Sequence, residues 1–294
     1  MKQMKLMVVL ASSAVFAISA GLAHAAKSDI TIGMQLEPPH LDPTSAAAGA
    51  IDQVVYANIF EGLTRFASDG SIIAGLAKSW AISDDGLTYT FTLNSGVKFH
   101  DGTTMDASDV VFSLDRARGE DSANAQKALF AGIASVQATD ATTVTITLSD
   151  PNGSFLFNLA WGDAVIVATE SIEDITANPV GTGPFTFTNW VQGDRIEITR
   201  NPDYWGTPAK LDSAIFKFIS DPTAAFAAVM AEDVDAFPAF PAPENLAQFD
   251  ADPRFSVVVG STEGETILST NNKMPPVRSE ERRVGEEWRS RWAP

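Results

Sequence analysis

The architecture follows first from residues Gly75–Ala117, which read GLAKSWAISDDGLTYTFTLNSGVKFHDGTTMDASDVVFSLDRA. Between Leu87 and Leu93 apolar side chains alternate with threonines, and this period of two predicts a strand with one buried face. The Asn-Ser-Gly that follows predicts a turn, because asparagine and glycine tolerate positive φ. Val97 and Phe99 then predict a short second strand. The first half of the segment is therefore predicted to contain two strands.

A helix is predicted in the second half of the same segment. Asp106 can cap its first turn, and Asp109 three residues later can close a capping box. Apolar side chains then recur on one face at helical spacing, at Val110, Val111, Leu114 and Ala117. The segment is therefore predicted to form strand, turn, strand, loop and helix.

Further elements occur along the chain without an internal repeat. The same patterns predict strands at Ile30–Gly33 and Val144–Leu148, helices at Ile51–Phe60 and after Asp221-Pro222, and a hairpin that joins Phe185–Phe187 to Ile196–Ile198. Strands and helices mixed in this irregular order predict an α/β, or mixed α+β, fold.

The composition is acidic. The 294 residues carry 20 Lys and Arg against 37 Asp and Glu, a formal net charge of −17. Nucleic acid requires a basic surface, so this balance argues strongly against a nucleic-acid partner. Hydrophobic residues make up 45% of the chain, enough for a packed core. We therefore expect a globular protein that does not bind nucleic acid.

The first 25 residues have the pattern of a secretory signal peptide. Two lysines precede a largely apolar run over residues 6–22, and residues 23–25, Ala-His-Ala, form a small-x-small cleavage site. The chain contains no cysteine, so neither a disulfide nor a lipid-bearing cysteine is expected after cleavage. We expect a mature protein that is free in the periplasm.

Five separated motifs occur in a consistent order. They are Leu41-Asp42-Pro43, Asn58-Ile59-Phe60-Glu61-Gly62-Leu63, the segment Gly75–Ala117, the pair Gly181-Thr182-Gly183-Pro184-Phe185 and Arg200-Asn201-Pro202-Asp203-Tyr204-Trp205, and Leu268–Pro276. In sequence, order and spacing they resemble the periplasmic solute-binding proteins of peptide, nickel and opine ABC importers. The resemblance covers residues 30–276.

This resemblance implies a two-lobed fold of the periplasmic-binding-protein type that closes on its ligand by a hinge. Residues 26–70 and 185–276 would form lobe one, and residues 71–184 an accessory domain inserted in it. The second lobe is expected to be largely missing. Residues 277–294 carry five basic and four acidic side chains. They are predicted to be an artefactual tail foreign to the family, the alternative being an ordinary charged surface segment.

The implied function is capture of a di- or oligopeptide, or a related small solute, for delivery to the permease of an ABC importer. The resemblance further implies a monomer without cofactor or metal. The alternative is a secreted hydrolase with a carboxylate pair, because an acidic chain offers many such pairs. The sequence contains no G-x-S-x-G elbow, H-E-x-x-H helix or cysteine nucleophile. We therefore predict a binding protein without catalytic residues.

The resemblance places the ligand contacts in the segment after the first strand. It assigns them to Met34, Gln35, Leu36 and Glu37, of which Glu37 could meet a cationic group. Prolines at positions 38, 39 and 43 keep the segment extended. The alternative is a structural loop that merely crosses the domain.

Other conspicuous residues are predicted to be structural. His100 and His40 each lack a second histidine nearby, so neither is expected to be a catalytic base or a metal ligand. Gly181-Thr182-Gly183-Pro184 is predicted to be a tight turn, because the phosphate-loop pattern is absent. Large aromatic side chains usually pack in cores, and this role is predicted for Trp161, Trp190 and Trp205.

Overall fold

The computed structural model describes residues 27–260. Within them ten strands follow in chain order: β1 (Asp29–Met34), β2 (Thr64–Phe66), β3 (Ile72–Ala74), β4 (Ala77–Ile82), β5 (Thr88–Leu93), β6 (Ile133–Asp140), β7 (Thr143–Leu148), β8 (Phe185–Val191), β9 (Arg195–Arg200) and β10 (Ser213–Phe218). The α-helices of this part are α1 (Gly49–Val55), α2 (Ala107–Arg118), α3 (Phe155–Asn158), α4 (Pro222–Met230) and α5 (Leu246–Asp250). None of these helices has the length and apolar character needed to cross a membrane.

Four strands from distant parts of the chain form the first sheet, in the order β1-β10-β9-β8. β1 runs parallel to β10, and the other neighbours are antiparallel. The sheet shares a core with α1, which includes Met34, Ile51, Val54, Val55, Ile196, Ile198, Ala214 and Phe216. Burial of apolar surface, at roughly 25 cal/mol per Å², stabilises this layer. The parallel pair thus joins the start of the described chain to a strand some 180 residues later.

The second sheet has the order β4-β5-β7-β6 and is antiparallel. On β5 the side chains of Tyr89, Phe91 and Leu93 are buried, while the intervening threonines are half-buried. The threonines and apolar residues of β7 alternate in the same way. α2 packs on this sheet and contributes Val110 and Leu114 to its core. The strands predicted at Leu87–Leu93 and Val144–Leu148 are therefore confirmed.

The predicted start of α2 is also confirmed. The Asp106 carboxylate accepts a hydrogen bond from the Ser108 amide at 2.7 Å, and the Asp109 carboxylate accepts one from the Asp106 amide at 3.0 Å. This reciprocal capping box satisfies amides that have no partner within the helix. The predicted hairpin forms from β8 and β9. The helix after Asp221 also forms, with the Asp221 carboxylate accepting from the Ala224 amide.

The helix predicted at Ile51–Phe60 was wrong in extent. α1 ends at Val55 and not at Phe60, because Tyr56 is extended and Ala57 has a positive φ of 57°. The Asn58 side-chain amide donates to the Val54 carbonyl at 2.9 Å, which satisfies an acceptor at the helix end. Ile59 is buried all the same, but outside the helix.

The short strand predicted at Val97 and Phe99 is a single bridge between Lys98 and Thr104. The chain reverses directly after Phe99, whose amide donates to the Thr103 carbonyl at 2.9 Å, so no ladder can develop. Val97 and Phe99 are nevertheless buried, at 0% and 3% exposed. Their alternation therefore reflects burial of two side chains and not a strand.

Of the described residues, 27–243 belong to one compact unit and 244–260 to a second. In the second unit, the rings of Phe249 and Phe255 meet edge to face with centroids 5.3 Å apart, and Arg254 lies over Phe255. The signal peptide, the motif Leu268–Pro276 and the tail at 277–294 lie outside the described residues. The division into lobe one and an accessory domain stays a prediction.

Candidate ligand-binding site

The residues predicted to contact a ligand lie where β1 ends and the chain continues in extended form. Met34 is 3% exposed and belongs to the core of the first sheet, and its carbonyl oxygen accepts from the Ile219 amide at 2.8 Å. Gln35, Leu36 and Glu37 follow with exposed side chains. Leu36 is 64% exposed. Three of the four predicted residues therefore present their side chains to solvent.

Glu37 links this segment to the β8–β9 hairpin by hydrogen bonds. Its Oε1 accepts hydrogen bonds from Trp190 Nε1 and from the Gly193 amide, both at 2.9 Å. Gly193 occupies the hairpin turn with a φ of 76°, a conformation that favours glycine. Both donors reach the same oxygen, so Oε2 receives no hydrogen bond from the described residues. Glu37 is therefore a structural contact with one carboxylate oxygen left for a further donor.

Asp42, from the Leu-Asp-Pro motif, links the extended segment to α2. It is 1% exposed, and its Oδ1 accepts from the amide and the hydroxyl of Thr44 at 2.8 and 2.6 Å. Its Oδ2 accepts from Arg116 Nη2 at 3.0 Å. Burial alone would raise the pKa of Asp42, but the Thr44 hydrogen bonds and the Arg116 charge hold that pKa below its ordinary value. The motif thus forms an ion pair between the buried carboxylate of Asp42 and the partly exposed side chain of Arg116.

Glu61 brings three of the family-like motifs together. Its Oε2 accepts from Thr182 Oγ1 at 2.9 Å and from Trp205 Nε1 at 2.8 Å, and its Oε1 accepts from the Tyr204 hydroxyl at 2.8 Å. Burial raises the pKa of Glu61, although these three hydrogen bonds oppose the shift. Because the carboxylate accepts from three side chains of distant segments, Glu61 links these segments to each other.

His100 has the structural role expected for a lone histidine. Its Nδ1 accepts from the Gly181 amide at 3.4 Å, and its Nε2 lies 3.0 Å from the Gly183 carbonyl. These partners require the neutral ring with the proton on Nε2. Burial lowers the pKa of His100 and favours that neutral form. The ring therefore braces the Gly-Thr-Gly-Pro segment.

The glycines of that segment permit a close approach to the Asn58–Leu63 motif. A Cβ on Gly181 would lie 1.9 Å from the Ile59 carbonyl oxygen, and one on Gly183 would lie 2.4 Å from the Asn58 carbonyl oxygen. The Gly183 amide donates to the Ile59 carbonyl at 2.9 Å. The segment therefore packs backbone against backbone.

A cavity of about 210 Å³ adjoins this motif, with Glu61 in its lining. Its lining includes Tyr56, Arg65, Tyr204 and Thr207. Arg65 is exposed, and its charge opposes the rise that burial causes in the pKa of Glu61. The cavity thus combines aromatic walls with a guanidinium and a hydroxyl group.

One of the three tryptophans predicted to be in the core is not buried. Trp161 is 40% exposed, and its ring centroid lies 6.4 Å from Phe66 and 6.0 Å from Phe157. Phe157 is itself 43% exposed. We call Phe66, Phe157 and Trp161 the aromatic cluster. Its rings pack edge to face on each other while much of their surface faces solvent, whereas Trp190 and Trp205 are partly buried against the two cores.

Sequence reasoning missed a pair of aspartates beside this cluster. Burial and the charge of Asp163 raise the pKa of Asp52 to about 6, and burial also raises the pKa of Asp163. The two residues are far apart in an acidic chain, so nothing local marked them. Among residues 27–260 no group of three or more His, Asp or Glu side chains is arranged to hold a metal ion.

Comparison with known proteins identifies the family. The family described as bacterial extracellular solute-binding proteins, family 5 Middle, matches residues 71–284. The match therefore reaches into the segment predicted to be foreign to the family. A glutathione-binding protein GsiB from Pectobacterium atrosepticum is 38% identical over 202 residues, which cover 67% of this chain and 39% of that protein.

Solved structures give the same result. The periplasmic binding protein DppA from Helicobacter pylori, in complex with the peptide STSA, has a TM-score of 0.72 and 27% identity, covering 76% of this chain and 49% of that one. AgaA from A. tumefaciens R10, in complex with agropinic acid, has a TM-score of 0.72 and 31% identity, covering 76% and 46%.

These matches confirm the mixed α/β fold of periplasmic binding proteins. The chain spans about two fifths to one half of the length of the curated relatives it matches. It belongs to the bacterial extracellular solute-binding proteins of family 5.

Proposed function

We propose that this chain is part of the periplasmic receptor of an ABC importer, which captures a solute and delivers it to the membrane permease. The observation that carries the proposal is the family match over residues 71–284. The predicted signal peptide agrees with a periplasmic location. The receptor acts as a monomer and without a cofactor.

The solute is a short peptide or a molecule of similar chemistry. The relatives in support are named or described as binding glutathione, the peptide STSA and agropinic acid. These three ligands share carboxylates and amine- or amide-type nitrogen. The hydrolase alternative has no support from these relatives, all of which are binding proteins by name.

The segment after β1 contributes to the ligand site. Gln35 and Leu36 are exposed there, and Glu37 keeps Oε2 without a described donor. Met34 is buried, so its contribution is to fix the backbone from which these three side chains project. The proposed organisation remains lobe one at residues 26–70 and 185–276, with the accessory domain at 71–184.

The test is calorimetry and thermal unfolding of the exported chain with glutathione and with Ser-Thr-Ser-Ala. Saturable binding of either solute, with a raised unfolding temperature and with the solute recovered unchanged, is expected. Product that accumulates in proportion to protein would contradict the proposal. So would the absence of any stabilisation at millimolar solute.

A further inference from the structure

The aspartate pair and the aromatic cluster lie side by side on the unit that ends at residue 243. Asp52 is in α1, and Asp163 is in the short turn Gly162–Ala164 that directly follows Trp161. Asp52 Oδ1 lies against Gly162, where a Cβ would be 2.1 Å from that oxygen. The Asp52 carboxylate therefore packs directly on the backbone of this turn.

One oxygen of each carboxylate lacks the partner that buried oxygens normally have, although the Asp163 carboxylate also accepts from its own backbone amide. Oδ1 of Asp52 and Oδ1 of Asp163 are buried, and neither receives a hydrogen bond from the described residues. Asp163 as a whole is 7% exposed. Among residues 27–260 no basic side chain forms an ion pair with either. Buried polar groups in folded proteins are nearly always satisfied, so an unsatisfied pair indicates a missing donor.

The fold holds this pair in place. One turn after Asp52, the Tyr56 hydroxyl donates to the Ala160 carbonyl at 2.5 Å. On the other side, the Asn124 side-chain amide donates to the Asp163 carbonyl at 2.8 Å. Two long-range hydrogen bonds therefore fix the backbone on both sides of the carboxylates. The backbone that carries the two carboxylates is thus preorganised.

The missing donor fits an organic cation better than a metal ion. Calcium takes six to eight oxygen ligands, and two carboxylates cannot supply that number. An ammonium or guanidinium group instead donates several hydrogen bonds to carboxylates and is attracted to aromatic faces. Trp161 directly precedes the turn that contains Asp163, and its exposed ring packs on that of Phe157. Charge and aromatic surface are thus combined at one place.

We propose that Asp52 and Asp163, with Trp161 beside them, form a subsite for the ammonium or guanidinium group of the captured solute. This inference rests on the proposed receptor function and narrows its solute class to molecules that carry a positive charge next to an apolar or aromatic portion. The carboxylates accept from the cation, and the aromatic cluster covers the adjoining carbon atoms.

The test is titration of the exported chain with phenethylammonium, using the uncharged N-acetylphenethylamine as the matched probe. Saturable binding of the amine is expected, with at least tenfold weaker binding of the acetylated probe. Asp52→Asn and Asp163→Asn should each weaken amine binding at least tenfold. Asp150→Asn, which removes the same charge from an exposed position, should leave it unchanged.

A second measurement follows the protons released when the amine binds. The pKa of Asp52 in the protein without ligand is about 6. Amine binding at pH 6 should therefore release protons, so that the measured heat of binding depends on the ionisation enthalpy of the buffer. Asp52→Asn should abolish most of that release. Equal binding of both probes, or unchanged amine binding in the asparagine variants with intact melting curves, would overturn the subsite. So would Ca²⁺ binding that needs both aspartates while the amine does not bind.

Different results would contradict the receptor function and the cation subsite. Glutathione or Ser-Thr-Ser-Ala bound equally by wild type and both asparagine variants would overturn the subsite and leave the receptor function in place. Amine binding that is lost in both variants, in a chain that binds neither glutathione nor the tetrapeptide, would support the subsite and count against the peptide receptor.

Discussion

The carboxylate of Glu61 accepts a hydrogen bond from the indole nitrogen of Trp205 at 2.8 Å, although the two residues are 144 positions apart. Thr182 and Tyr204 donate to the same carboxylate. The motifs that identify the family in the sequence therefore contact one another around a buried charge. In this part of the molecule the motifs join distant segments. They therefore identify the fold but do not indicate which solute is bound.

Glu61→Gln should lower the free energy of unfolding by about 2–3 kcal/mol. The glutamine amide nitrogen would face a donor, so at least one of the three donors would lose its acceptor while still buried. Urea denaturation at pH 7 measures the change. Glu120→Gln, at an exposed position of equal charge, should stay within about 0.5 kcal/mol of wild type. Equal urea midpoints for wild type and Glu61→Gln would show that the cluster is not stabilising.

Arg116→Gln should destabilise the protein by about 3 kcal/mol at neutral pH, because it leaves the buried carboxylate of Asp42 without its cation. The pKa of Asp42 is lowered in the folded state, so its contribution to stability is present above pH 3.8 and is lost as the pH falls through the folded pKa. The difference between variant and wild type should therefore shrink below about pH 4.

Urea midpoints at several pH values measure this difference. Arg118→Gln is the control on the same helix, because Arg118 pairs with the exposed Asp115 and donates to the Ile133 carbonyl. Its loss should cost about 1 kcal/mol and should not depend on the pH around 4. Similar losses in the two variants, independent of pH, would contradict the buried-pair interpretation.

Gly181→Ala should destabilise the protein severely, by about 3 kcal/mol or more, because its Cβ would lie 1.9 Å from the Ile59 carbonyl oxygen. Gly132→Ala is the matched control, since nothing lies within 4 Å of a Cβ at that exposed position. That variant should be neutral or slightly stabilised. Thermal unfolding compares the two. A folded Gly181→Ala with an unchanged melting temperature would show that the two backbones can separate without loss.

Local patterns were enough to predict the elements whose burial depends on neighbours in sequence. The alternation through Tyr89 and Phe91 marks β5 because successive strand residues point to opposite faces. The capping box at Asp106 was also predictable, because its two side chains are only three residues apart in the sequence. α1 was predicted to be too long, because nothing in its apolar spacing signalled that Tyr56 leaves the helical region.

The site was less predictable because its contacts are not local. Glu37 could be predicted to lie in an extended segment, but its hydrogen bonds from Trp190 and Gly193 could not be predicted. The pairing of Asp52 with Asp163 depends on how α1 packs against the turn after Trp161, and no spacing rule contains that information. Trp161 was placed in the core by the general behaviour of tryptophan, whereas here the neighbouring rings are themselves exposed.

Asp52→Asn should stabilise the protein at pH 7.5 and not at about pH 4. The pKa of Asp52 is about 6 in the folded state against an ordinary 3.8, so between these values the folded protein holds the proton that the unfolded chain releases. Stability therefore falls as the pH rises from about 4 to 6 and is constant above that range. The asparagine variant lacks this penalty and should gain about 1 kcal/mol at pH 7.5, because partial solvation screens the charge and reduces the full effect.

Urea midpoints of wild type, Asp52→Asn and the exposed control Asp150→Asn at pH 4, 6 and 7.5 measure this gain. Asp150→Asn should follow wild type at every pH, because Asp150 is exposed. If the gain of Asp52→Asn were the same at all three pH values, the asparagine would be acting through packing. The carboxylate of Asp52 would then already be satisfied, and the reason for expecting a cation beside it would disappear.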